Sequence, residues 1–357
     1  MSEQERILTR GNEAIAYGAM DAGCRCYFAY PITPQNEISE LLSSLLPDAG
    51  GQFVQAESEI ASINMVLGAG ACGIPAMTSS SSPGISLMQE GLSYMACSML
   101  PGVVVNMQRG GPGLGGIGPA QGDYFQAVKG GGHGDHRNLV LAPSSCQECY
   151  DMMFDAFSLA FAYRNPVMVL GDAMVAQMKE PILRRPPVGA PGFAGLHNSS
   201  AAWRVEGCTG RAKRLLKSVY LADGELAARN QELLAKYEAM RKEVRFQDVS
   251  LDDAELVVVA FGSMGRIAHS TVRNLREQGH KIGLLRPLTL YPFPEAKIAE
   301  LADRGVRFLV IEQNLGQMVE DVRLAVNGKS KVSWHGVMPC VFVDADDFVA
   351  PIFEAMK

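Results

Sequence analysis

Between about residue 10 and residue 185, short apolar runs alternate with helix-patterned stretches, and this alternation restricts the fold most. The runs are CYFAYP, QFVQAE, AMTSS, GVVVNMQR, NLVLAP and PVMVLGD, separated by stretches such as NEISELLSSLL, SEIASINMVLGAGAC and GISLMQEGLSYMACSML. Strands this apolar need cover on both faces, and strand–helix–strand order supplies parallel strands with covering helices. The expected fold class is therefore α/β, built on a parallel sheet. Each run exits into Pro, Ser, Gly or a charged residue, as ligand-binding loops at strand ends do.

The alternation stops near residue 186. PPVGAPGFAGLHNSSAAWRVEGCTGRAK is Pro/Gly-rich and irregular, and LLKSVYLADGELAARNQELLAKYEAMRKEVRF then carries helical periodicity and many charges. A solvated linker helix between two domains is expected there. A second α/β unit starts near 253, with a strand at Leu256–Phe261, a turn at Gly262-Ser263-Met264-Gly265, a helix from Arg266 to Gln278, and the strands KIGLLRP and RFLVIEQN. The expected division is a first domain over 1–190, a linker over 191–250 and a second domain over 251–357.

Composition narrows the function. The 357 residues carry a net charge of −6, which does not suit a nucleic-acid footprint. No apolar stretch reaches the ~20 residues of a membrane span, and MSEQERILTR is not a signal peptide. Most of the eight cysteines sit in apolar segments, which points to a reducing cytoplasm. Cys146 and Cys149 form one C-x-x-C, but SSCQECYDMMFDAFSLAFAY is expected to be a helix capped by Ser144 or Ser145 with Glu148 near its third position. The pair should be buried on that helix. An iron–sulfur cluster needs four thiolates and no second pair lies at ferredoxin-like spacing, so any cluster is expected on another chain.

Three segments at strand ends concentrate the chemistry: Tyr30-Pro31-Ile32-Thr33-Pro34, Gln55-Ala56-Glu57-Ser58-Glu59 and Gln108-Arg109-Gly110-Gly111-Pro112. Thr33, bracketed by prolines, is stiff and can donate to a substrate oxygen, or it can N-cap a helix starting near Pro34. Glu57 and Glu59 open the next helix, where the dipole favours a carboxylate by ~0.3–1 kcal/mol, and two residues apart at most one can face the site. Arg109 offers a fork that grips a carboxylate bidentately. The glycine-rich run GGPGLGGIGPAQGD after it lacks the Lys-Ser/Thr of a phosphate loop, so it suits close approach to a ligand or partner.

Other motifs carry less. Gly262-Ser263-Met264-Gly265 imitates a nucleotide fingerprint, yet close strand–helix packing explains it. His133, Asp135 and His136 in KGGGHGDHRN lack a further metal ligand and suit a flexible or interface loop. Gly171-Asp172-Ala173 with Asn198 loosely imitates a magnesium-diphosphate motif, but Asp172 is more simply a turn residue.

Taken together, YPITPQNEI, QAESEIASINMVLGAGA, TSSSSPGISLMQEG, QRGGPGLG, DYFQAVKGGGHGD and LRPLTLYPFP resemble, over nearly the whole chain, the α-type subunit of the 2-oxoacid:ferredoxin oxidoreductases. The likeness is nearest to the branched-chain 2-oxoisovalerate (3-methyl-2-oxobutanoate) members. It implies a pyrimidine-type thiamine diphosphate domain followed by a transketolase C-terminal-like domain. It also implies CoA-dependent oxidative decarboxylation of a 2-oxoacid to acyl-CoA and CO2. Carried over residue by residue, Glu57, nearer the strand end than the alternative Glu59, would bond the aminopyrimidine ring, with Tyr30, Pro31 and Ile32 beside the cofactor, while Thr33 and Arg109 would hold the substrate oxygens. A β-type partner would hold Mg2+ and the diphosphate; a γ-type chain, a ferredoxin-like iron–sulfur subunit and ferredoxin would complete the system. The same machinery on 2-oxoglutarate, pyruvate or an aryl pyruvate, or a subunit serving only assembly, are the alternatives.

Overall fold

The computed structural model describes residues 5–185 and 189–357. In chain order the strands are β1 (Glu5–Arg10), β2 (Cys26–Ala29), β3 (Gln52–Gln55), β4 (Ala76–Ser80), β5 (Gly102–Gln108), β6 (Leu139–Leu141), β7 (Pro166–Asp172) and β8 (Lys179–Arg184). Then follow β9 (Phe246–Val249), β10 (Leu256–Val259), β11 (Ile282–Pro287), β12 (Thr289–Tyr291), β13 (Arg307–Glu312) and β14 (Val332–Gly336). The six apolar runs are β2 to β7, and they lie in one seven-stranded sheet of order β12-β6-β7-β5-β4-β2-β3. All neighbours among β2 to β7 pair in parallel, so their carboxyl ends open on one side.

The composition of β5 shows why. Val103, Val105 and Met107 enter one core with the helices Gly11–Asp21 and Cys146–Tyr163, whereas Val104 enters the opposite core with Glu59–Ala71 and Ser82–Ser98. A central strand with two covered faces favours apolar side chains on both, each worth about 1.5–3 kcal/mol on burial, and the polar Asn106 and Gln108 come only at its carboxyl end. Strand β3, at the edge, alternates less strictly and is largely exposed.

The second sheet has the order β14-β13-β10-β11-β9, parallel except for β9, which runs antiparallel to β11. Two expectations are corrected here. Strand β9, inside the expected linker, already belongs to the second sheet. Strand β12, from the expected second domain, closes the edge of the first sheet against β6. The second core cluster correspondingly joins Ile85 and Met88 to Phe261 and Phe308 without a break.

The linker is also more ordered than its composition suggests. Residues Gly189–Ser199 form a helix, and Glu225–Met240 buries Leu233, Tyr237 and Met240 against the first core. Only the outer face of that second helix is solvated. The stretch between them is irregular.

Polar joints lock the two units. Arg286 on β11 forks onto Glu148, whose Oε2 also receives the Ser144 N–H at 2.8 Å. Gln121 accepts from Gln313 N at 3.1 Å and donates to Phe261 O at 2.9 Å. Tyr124 donates to Asp321 at 2.7 Å.

Candidate active site

The loops after β2, β4 and β5 meet outside the carboxyl ends of the first sheet. After β2 the chain turns at Tyr30-Pro31-Ile32, with Gln35 N donating to Ile32 O at 3.2 Å, and the Thr33–Pro34 bond is cis. Pro34 O is held by Asn12 at 2.7 Å and Gln177 at 3.0 Å. The turn is thus pinned through its backbone, while the side chains of Tyr30, Pro31 and Thr33 stay exposed. The helix begins at Asn36 with Gln35 as its N-cap, so Thr33 is not a cap residue. Its hydroxyl is left for the crevice.

Arg109, at the end of β5, reaches across to this turn: its Nη1 donates to Thr33 O at 3.1 Å. Its buried Nε finds no partner among the described residues. A half-buried guanidinium with donors left over is equipped for an anion, and a carboxylate matches its fork.

The glutamates part company. Glu57 lies before the helix and is exposed. Ser58 caps the helix, accepting from Ala61 N at 3.2 Å, so Glu59 becomes the first helical residue and is only 5% exposed. Ser80 Oγ donates to Glu59 Oε1 at 3.4 Å. The carry-over to Glu57 rested on its nearness to the strand end, and the geometry differs because the cap sets the helical phase. Glu59, Ser62, Ile63, Val66 and Gly70 form one buried stripe. That spacing was available in the sequence and distinguishes the two acids.

One turn joins these groups. It runs from the end of β4 into the helix Ser82–Ser98: Ser80 touches Glu59, and two residues later Ser82 Oγ accepts from Arg109 N at 3.1 Å. Ser82 also donates to Asp123 Oδ2 at 2.7 Å, which takes a second bond from Asn106 at 2.8 Å. Burial raises the Asp123 carboxyl, tempered by these two bonds. Gly84 keeps the turn open, because a Cβ there would lie 2.4 Å from Glu59 Oε1 and 2.0 Å from Ser80 Oγ. The individual roles of Ser80, Ser82, Asn106 and Asp123 escaped sequence reasoning. The signal for Ser80 is a row of buried hydroxyls, Thr78 to Ser81, at the end of an interior strand.

The remaining motifs are structural. Asp172 caps Ala173–Gln177 through Oδ1, accepting from Met174 N at 2.9 Å and Val175 N at 3.0 Å, while Oδ2 receives the Ser263 hydroxyl. It is more than a turn residue, since it ties β7 to the second unit, and burial pushes its carboxyl up. The glycine run at 262–265 is the first turn of the helix Gly262–Glu277 rather than a turn before it, and a Cβ on Gly265 would lie 2.8 Å from Ala260 O. Cys146 and Cys149 are buried on one helix, where burial raises both thiols, that of Cys146 to about 12. His136 is buried whereas His133 and Asp135 are exposed, and among the described residues no group of three His, Cys, Asp or Glu could hold a metal.

Comparisons with known proteins give the family. Residues 17–191 match the family described as pyruvate flavodoxin/ferredoxin oxidoreductase, thiamine diphosphate-binding, and residues 254–340 match pyruvate:ferredoxin oxidoreductase core domain II. Ketoisovalerate oxidoreductase subunit VorB of Methanothermobacter thermautotrophicus is 52% identical over 89% of this chain and 89% of its own length. The 2-oxoglutarate synthase subunit KorA of Archaeoglobus fulgidus is 38% identical, covering 89% of this chain and 91% of its own. Among solved structures, the 2-oxoglutarate:ferredoxin oxidoreductase from Magnetococcus marinus, with 2-oxoglutarate, coenzyme A and succinyl-CoA bound, superposes with a TM-score of 0.88 at 26% identity. That match covers 99% of this chain and 66% of that one. A split gene transketolase, at TM-score 0.60 and 13% identity over 97% of both chains, shares the fold alone. The chain belongs to the 2-oxoacid:ferredoxin oxidoreductases, as a subunit of that family.

Proposed function

We propose that the crevice formed by Thr33, Glu59 and Arg109 is the substrate and aminopyrimidine half of a thiamine diphosphate site acting on a branched-chain 2-oxoacid. The observation that carries this is the continuous contact path Glu59–Ser80, Ser82–Arg109, Arg109–Thr33. It links the loops that carry Glu59, Arg109 and Thr33 through the turn Ser80–Ser82, meeting Arg109 at its backbone N–H and Thr33 at its backbone oxygen. The reaction takes a 2-oxoacid, coenzyme A and two oxidised ferredoxins to acyl-CoA, CO2, a proton and two reduced ferredoxins.

Arg109 holds the substrate carboxylate with its free donors, and Thr33 donates to the neighbouring oxo or carboxylate oxygen. Both loops are fixed through backbone bonds before substrate arrives, so little ordering is needed on binding. Glu59, not Glu57, is the acid for the aminopyrimidine ring nitrogen. It is buried in a helix first turn, where the dipole favours its charge, and Ser80 orients one oxygen. Tyr30, Pro31 and Ile32 wall the same end of the cleft. When bound, thiamine diphosphate supplies the electron sink for decarboxylation.

The residues fit only half of that cofactor. Asp172, the one carboxylate in a diphosphate-like motif, has both oxygens engaged by cap and hydroxyl donors. The diphosphate and Mg2+ therefore belong to a β-type partner, and the iron–sulfur clusters to further chains of a cytoplasmic complex. The 52% identity to a ketoisovalerate subunit, against 38% to a 2-oxoglutarate subunit, favours the branched-chain acid. The test is ferredoxin reduction by the assembled complex with a panel of 2-oxoacids. A higher kcat/KM for 3-methyl-2-oxobutanoate than for 2-oxoglutarate, pyruvate or an aryl pyruvate supports the assignment. Preference for any other acid overturns it.

A further inference from the structure

Arg109 stands at a mechanical boundary. Behind it is β5, buried along its whole length; ahead is the loop 110–118, rich in glycine, with Gly113 at φ 71° and Gly115 at φ 58°. A cation at such a boundary keeps its aim only if something fixes the last backbone unit before the loop. Strand pairing does not do this, since the parallel register of β5 with β4 ends at Asn106 and that with β7 at Gln108.

Asp123 returns from the far side of the loop and fastens the residues around Arg109. Its N–H donates to Gln108 Oε1 at 3.0 Å. Its Oδ2 accepts from Asn106 Nδ2 at 2.8 Å and from Ser82 Oγ at 2.7 Å. Ser82 has a single hydroxyl proton and two candidate acceptors, Asp123 at 2.7 Å and Arg109 O at 3.3 Å. The shorter, charge-assisted bond takes the proton, which leaves the Ser82 lone pairs to accept from Arg109 N at 3.1 Å.

We infer that Asp123 is a positioning residue for Arg109, acting through Ser82 to hold the guanidinium at the distance that grips the 2-oxoacid carboxylate. The inference rests on the role proposed above for Arg109. Asp123 need not touch substrate. Only one of its oxygens carries the two bonds, so an amide at this position can reproduce them with its own oxygen, whereas a methyl group cannot.

The experiment is steady-state kinetics of the complete complex carrying Asp123→Ala, Asp123→Asn, Ser82→Ala, Arg109→Ala and the double variant of Asp123→Ala with Arg109→Ala. A misplaced grip that acts alike on ground and transition states raises KM and spares kcat. The expected result for Asp123→Ala is a KM for the 2-oxoacid raised about tenfold with kcat within about threefold, with Asp123→Asn within about twofold of wild type. On the Arg109→Ala background, Asp123→Ala should add nothing, as coupled residues behave in a double-mutant cycle. Should the Asp123→Ala complex fail to assemble, Ser82→Ala, which keeps the Asp123–Asn106 bond, is expected to show the same KM rise. An unchanged KM in both Asp123→Ala and Ser82→Ala, or multiplying effects in the double variant, overturns the positioning role while the Arg109 assignment stands. An unchanged KM in Arg109→Ala overturns the carboxylate assignment itself.

Discussion

Arg109 and Thr33 lie 76 residues apart in the chain and meet through one hydrogen bond. Their separate legibility had the same cause: each follows an apolar run, and strand ends in parallel sheets converge. Replacing Arg109 by Lys keeps the charge and loses the planar fork, a difference of about 1.5–3 kcal/mol, so kcat/KM for the 2-oxoacid should fall roughly 10–100-fold in turnover assays of the complex. Thr33→Val keeps the β-branched shape that suits a residue before proline and removes only the hydroxyl; a fall of about 2–10-fold is expected. Equal activity in Arg109→Lys would mean that the fork is not used. The glutamates were the less legible pair, because proximity to the strand favoured Glu57 while helical phase favours Glu59. The buried stripe through Ile63, Val66 and Gly70 continues to Glu59, and Ser58 as the cap sets that phase, which is why the proposal turns on Glu59.

At the scale of elements, the apolar strands and amphipathic helices of the first sheet were readable because period and burial agree. The helix Gly189–Ser199 was not. Its sequence GAPGFAGLHNS has the composition of a loop, and His197 Nδ1 donates to Gly73 O at 3.0 Å to hold it by tertiary contact. The charged helix Glu225–Met240 was seen, but its three buried residues are too sparse to announce an inward face. The most testable element is the turn at Gly84. Helix propensity favours Ala over Gly there by about 1 kcal/mol, yet the added methyl would overlap Ser80 and Glu59, and such overpacking costs about 1–3 kcal/mol. Gly84→Ala should therefore lower the melting temperature rather than raise it, and should depress turnover by displacing Glu59. A more stable, fully active variant would show that the turn can relax.

For the whole molecule, the division into two units with a linker was too clean. Strand β12 completes the first sheet from within the second unit, and a three-residue edge strand has too little pattern to be assigned from sequence. The Arg286–Glu148 joint makes this interlock sensitive to pH. Burial alone would raise the Glu148 carboxyl, but the bonds and charge of Arg286 and the Ser144 N–H outweigh it and hold it below the usual range. A depressed folded pKa means stabilisation present above the unfolded value near 4.3, and lost as pH falls through the lower folded value. Melting temperatures of wild type and Glu148→Gln should thus differ at pH 7 and converge under acid; a gap constant in pH would contradict the joint. The proposal that a partner holds the diphosphate and Mg2+ predicts that calorimetry on the isolated chain detects thiamine diphosphate weakly, and tight Mg2+-dependent binding would refute the shared site. The most direct measurement is 2-oxoacid turnover by complexes carrying Glu59→Gln or Glu57→Gln with assembly verified. Loss of about 100-fold or more in Glu59→Gln, with Glu57→Gln within about twofold, is predicted; the opposite pattern, or full activity in both, would contradict the account.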